Sequence, residues 1–105
     1  MSWVYLLIAG LMEIIWALGM KSSEGFTRLW PSVFTLAAIG VSLFLLSLAL
    51  RGIPIGTAYA VWAGIGTVGT AMAGILFFGE STEILRLLSI ALVAVGIVGL
   101  KLVTP

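Results

Sequence analysis

The chain has 105 residues, of which 62% are hydrophobic and 9% charged, with a formal net charge of +1 and a mean hydropathy of +1.30. A water-soluble domain of this size cannot hide so much apolar material, so the composition specifies an integral membrane protein. With no cysteine and no histidine, it speaks against a disulfide framework, thiol chemistry and an imidazole-ligated metal, and the small net charge leaves no basic patch for nucleic acid.

The first apolar run covers residues 3–20. Met1-Ser2-Trp3 lacks the positive start of a cleavable signal, so residue 1 is expected to belong to the mature protein. Within LLIAGLMEIIWALGM (6–20) the one charged residue is Glu13, about 15 Å along a helix and therefore near mid-bilayer. A charge at that depth costs at least ~3 kcal/mol, and no Lys or Arg lies at similar depth to neutralise it. Because hydrocarbon penalises the charged form, Glu13 reads as a group that takes up and releases protons. The plainer alternative is an acid that stays protonated and bonds a neighbouring helix, although glutamine would serve there without the risk. Trp16 follows at i+3 on the same face; its other reading is a member of the interfacial aromatic belt.

The polar stretch KSSEGFTRLWP (21–31) closes the first run and leads to a second at residues 32–50, with Ser42 near its middle. Arg51-Gly52-Ile53-Pro54 then ends it, and a third run follows at 57–79. Pro31 and Pro54 sit before or at helix starts, where a missing N–H costs nothing. The third run carries Tyr59 and Trp62, again three apart. Tyr59 fits the belt and the site equally, whereas Trp62 is deeper. A carboxylate, aromatic walls and a hydroxyl inside a membrane bundle make a cation site: charge from Glu13, ring faces from Trp16, Tyr59 and Trp62, and orientation from Ser42. Trp3, Tyr5 and Trp30 fit the belt better. Beyond Trp62 comes AGIGTVGTAMAG (63–74). Gly69 and Gly74 suit close helix packing, and Gly64 and Gly66 are the better candidates for a point at which the helix bends.

After Glu80-Ser81-Thr82-Glu83, the fourth run occupies 84–103, with Arg86 and Lys101 near its ends, where long side chains snorkel. Ser89, Gly96 and Gly99 give it a small-residue surface suited to dimer packing. Each run approaches the ~20 residues a transmembrane helix needs. No run alternates, and four short strands cannot close a barrel. The expectation is an all-α membrane protein, one domain over residues 1–105, with four transmembrane helices, no linker and no internal repeat. One small copy encloses little volume, so an oligomer is expected. Arg51 and Lys101 on one side face Lys21, Arg28 and Arg86 on the other. That near-balance barely chooses an orientation, which leaves insertion in both directions open.

Glu13, SSEGFTRLWPS (22–32), Ser42, PIGTAYAVWAGIG (54–66) and FFGE (77–80) together resemble the small multidrug resistance transporters, in order and over nearly the whole chain. EIIWALGMK (13–21) is similar to the guanidinium-exporting branch; exporters of polyaromatic cations typically carry glycine where this chain has Trp16. The resemblance implies an antiparallel, dual-topology homodimer, multi-pass in the bacterial inner membrane. It implies guanidinium export in exchange for protons, without a cofactor. Glu13 would be the carboxylate that proton and substrate share, Trp16, Ser42, Tyr59 and Trp62 would line or order the site, and the Gly64–Gly66 region would bend.

The chemistry of the residues agrees with it. Guanidinium is flat and charged, and its forked N–H groups match a carboxylate. A broader exporter of quaternary ammonium or aromatic cations on the same fold is the nearest alternative, and Trp16 speaks against it by filling space. A proton-carrying rotor subunit needs neither four spans nor an aromatic pocket, and a transport-free assembly factor leaves Glu13 without a purpose. Enzyme chemistry has little support, for want of any nucleophile–base pair.

Overall fold

Four hydrophobic runs, each long enough to satisfy its own backbone as a helix, become four helices in the computed structural model, which describes residues 1–104. They are α1 (Ser2–Ser22), α2 (Leu29–Ala49), α3 (Ile55–Phe78) and α4 (Ile84–Val103). All four are long and apolar enough to cross a membrane, and there is no strand among the described residues.

The connections are short and locally determined. After α1, Ser23 is buried. Its hydroxyl donates to the Met20 carbonyl at 2.7 Å and accepts the Phe26 N–H at 3.0 Å. Three left-handed residues, Glu24, Gly25 and Phe26, then turn the chain, and Thr27 and Arg28 N–H groups return to the Ser23 carbonyl. α2 starts at Leu29, three residues before the second hydrophobic run. Pro31 falls in its first turn, where backbone N–H groups have no intrahelical acceptor and a proline is tolerated. Pro54 immediately precedes α3, and Gly79 ends it in the left-handed conformation with its N–H on the Gly74 carbonyl.

The helices are not arranged as a square bundle. α1 packs on α2 and on α3, α3 packs on α4, and α2 and α3 barely touch. The lateral order is therefore α2–α1–α3–α4. The molecule measures 42 × 35 × 16 Å, so its thin dimension is only slightly more than the ~10–12 Å diameter of one helix.

Such a layer cannot have a conventional core, and its seams are built from small residues. Lipid tails are as apolar as leucine, so helices in a membrane gain from close backbone approach rather than from hiding large side chains. α2 turns Thr35, Ala38, Ser42 and Ala49 inward, a stripe at i, i+3, i+7 and i+14 that lies along one helix face. The α1–α3 seam pairs Gly10 with Ile65 and Gly69 with Ile14. Leu6, Ala9, Ala49, Ile53, Ala58, Val61 and Trp62 form the buried cluster at one end of these seams. α4 has no buried residue. Its Ser89, Gly96 and Gly99 stay exposed or only partly covered, and a Cβ at either glycine would meet nothing.

Candidate functional site

α1 runs from Ser2 to Ser22, which puts Glu13 one residue past its midpoint. Its side chain is directed at α3, where it lies against Gly66; a Cβ at that position would fall on the Glu13 carboxylate. Only a residue without a side chain admits the acid here. Gly64, two residues earlier, faces the other way and receives the Ile97 side chain of α4, whose Cδ1 would be 2.8 Å from an added Cβ. Both glycines thus allow close approach, and α3 passes through them as continuous helix.

One turn along α1, Trp16 is partly buried. Because α1 continues to Ser22, Trp16 lies well inside the helix rather than at its end. Its Nε1–H is buried and has no acceptor among the described residues. Buried indole N–H groups nearly always have a partner. This donor, at i+3 from Glu13, is unspent within the chain.

A hydrogen-bonded chain crosses three helices beside these two residues. Trp62 Nε1–H of α3 donates to Ser42 Oγ of α2 at 3.0 Å, and Ser42 Oγ–H donates to the Ala9 carbonyl of α1 at 2.8 Å. Ser42 is fully buried and Trp62 is 9% exposed. The chain holds the Trp62 ring at a set angle, and it is the one side-chain hydrogen bond between α2 and α3 among the described residues, helices that otherwise hardly touch. Tyr59 packs edge-on against Trp62, with ring centroids 5.5 Å apart and planes at 62°. It is 60% exposed, so it stands at the open rim while Trp62 forms the floor.

The structure therefore joins Ser42, Trp62 and Tyr59 by contact, and places Glu13 and Trp16 on α1 with Glu13 seated on α3. Chemically, the group offers one carboxylate, an unused N–H donor and ring faces, on side chains that are buried or partly buried except at Tyr59. That combination suits a proton or a small flat cation with N–H groups of its own. One contributor is absent from the sequence reading, and another is there only in a different role. The Ala9 carbonyl could not be inferred from residue type. The sequence marks Gly66 for bending, and its contact with Glu13 comes from a helix more than fifty residues away.

Residues 1–93 match the family model described as Small Multidrug Resistance protein. Among similar proteins, a guanidinium exporter of Citrobacter freundii is 60% identical over 104 residues, covering 99% of both chains. A guanidinium exporter of Proteus vulgaris is 59% identical over 102 residues, covering 97% of this chain and 98% of its own. One of Yersinia pestis is 57% identical over 102 residues with the same coverage.

Proposed function

The chain belongs to the small multidrug resistance family, and on that premise we propose that it exports guanidinium and small guanidinyl cations in exchange for protons, with Glu13 binding each in turn. The family is one of transporters, and the four spans make the chain a multi-pass protein of the bacterial inner membrane. The observation that carries the reading is the position of Glu13: the single carboxylate inside any span, at mid-helix, seated against Gly66.

Guanidinium loads when Glu13 is ionised, because its N–H fork needs both carboxylate oxygens. Protonation then removes the charge that held it, and the cation leaves. Trp16 supplies a flat face and a donor beside the acid, and the Ser42–Trp62 bond fixes the second wall. Small planar cations suit this arrangement better than bulky ones, since an indole at position 16 occupies the volume an aromatic cargo needs. That favours guanidinium over the broader multidrug reading. We read the protein as a carrier rather than an enzyme.

The unit that works is an antiparallel homodimer. A layer 16 Å thin with no buried residue on α4 leaves both faces free for a second copy and for lipid. Two opposed copies would bring two Glu13 carboxylates to the midplane, forming between chains the inverted repeat that larger transporters encode in one. Ser89, Gly96 and Gly99 offer α4 as a packing surface. Gly64 and Gly66 would let α3 bend as the two subunits exchange shapes. Flux from proteoliposomes under a pH gradient tests the substrate. Guanidinium should exchange with protons, and tetraalkylammonium and an aromatic dye should not. Faster exchange of the dye than of guanidinium would overturn the assignment.

A further inference from the structure

Glu13 and its seat continue, along both helices, into a groove that ends at an ion pair. On α1, Ala17 and Lys21 follow Glu13 at i+4 and i+8; on α3, Thr70 and Gly74 follow Gly66 at the same spacing, so each set shares one face. Ala17, Lys21, Thr70 and Gly74 line a cavity of about 340 Å³ whose outer end is formed by Glu80 and Arg86. It starts one turn past the carboxylate and runs toward the membrane face where α1 and α3 end and α4 begins.

The outer end is built rather than incidental. Glu80 folds back onto α3 because Gly74 has no side chain; a Cβ there would fall on the Glu80 carboxylate. The Glu80 N–H also donates to the Gly74 carbonyl at 3.2 Å. Arg86 Nη2 reaches the same carboxylate at 2.8 Å, and its Nη1 donates to the Ser81 carbonyl at 2.6 Å. Arg86 thus straps the α3–α4 connection across the groove. Lys21 is drawn to one side, its Nζ 5.0 Å from the centre of the Phe78 ring. The Arg86 and Glu80 side chains are 31% and 41% exposed, and an ion pair so open to solvent is weak enough to part and re-form.

We infer that this groove is the path between Glu13 and that membrane face, and that the Glu80–Arg86 pair is its gate. Closed, the pair stands at the outer end of the groove that Thr70 and Lys21 also line. Parted, it leaves a hydroxyl-lined route for water, protons and a cation to the carboxylate. The inference rests on the reading of Glu13 as the transport group, but its test does not use transport.

The chain has no cysteine, so Thr70→Cys gives a single reporter in the groove. Its rate of modification by a membrane-impermeant trimethylammonium methanethiosulfonate is measured on the full chain in proteoliposomes, with reagent on both sides. A closed gate gives slow modification. Adding Arg86→Ala should raise the rate at least tenfold, whereas Arg86→Lys, which can re-pair with Glu80, should leave it within about threefold of the parent. Gly74→Ala, which unseats Glu80 without touching the charges, should raise it as Arg86→Ala does and decides the matter if the arginine variant misfolds. Equal rates in the parent, Arg86→Ala and Gly74→Ala would overturn the gate. Glu13→Gln fails or succeeds in binding guanidinium independently of these rates, so the two readings stand or fall separately.

Discussion

The carboxylate of Glu13 lies directly on the bare backbone of Gly66, so the acid on α1 and the absence of a side chain on α3 are one feature. In the proposed mechanism, this contact sets where proton and cargo sit. Adding a methyl group at position 66 would push the carboxylate out of its seat while leaving the acid in place.

Gly66→Ala should therefore weaken guanidinium binding at least tenfold, equivalent to about 1.4 kcal/mol, in a protein that remains folded. Calorimetric titration checks the affinity, and gel filtration in detergent checks the fold. An unchanged affinity would mean that the seat is not needed for the site.

Ser42→Ala removes the acceptor of Trp62 and leaves the buried indole N–H unpaired, while the Ala9 carbonyl loses its second donor and keeps its helical one. Leaving a buried donor unsatisfied costs about 1–3 kcal/mol. Reduced thermal stability and a shifted tryptophan emission are expected, together with weaker guanidinium binding because the Trp62 ring is no longer held. Ser42→Thr, which keeps the hydroxyl, should lose less.

Trp16→Gly removes a ring face and a buried donor beside Glu13. Guanidinium should bind more weakly by about 1–2 kcal/mol of cation–π and contact energy, and larger aromatic cations should now enter. Competition between guanidinium and a fluorescent aromatic cation measures both effects. Unchanged selectivity would mean that Trp16 does not line the site.

Much of this layout was legible in the residues, and what was not has a physical reason. The four spans follow from hydropathy and from their polar interruptions, and Glu13 stands out because a charge in hydrocarbon is expensive. The start of α2 was harder, because Pro31 reads as a boundary although a first helical turn accepts it. In the sequence, Gly64 and Gly66 read as points of flexibility. Their contacts with Ile97 and Glu13 depend on which helices become neighbours, and no local pattern states that. The Trp62–Ser42–Ala9 chain likewise joins three helices through groups that are common in any membrane span.

The proposed topology gives a sharp prediction from the balance of Arg51 and Lys101 against Lys21, Arg28 and Arg86. Two lysines added to the loop at 51–54 should bias every copy one way and suppress export. Coexpression with a copy carrying two extra lysines in the 21–28 region should restore it. Normal export by the singly biased protein would require a parallel dimer.

The central claim is that proton and guanidinium share one carboxylate. Protons then compete with the cation, so the apparent guanidinium Kd should rise as pH falls, approaching about tenfold per pH unit for each proton displaced. Two close carboxylates in a dimer would titrate as a pair. A Kd that stays flat with pH would argue that the proton goes elsewhere.

The most direct measurement is proton movement driven by a guanidinium gradient in proteoliposomes, with a trapped pH indicator, for the parent chain and for Glu13→Gln. The parent should move protons against the direction of guanidinium flow. The variant, still folded and dimeric, should neither move them nor bind the cation. Guanidinium-driven proton movement that survives in Glu13→Gln would contradict the account.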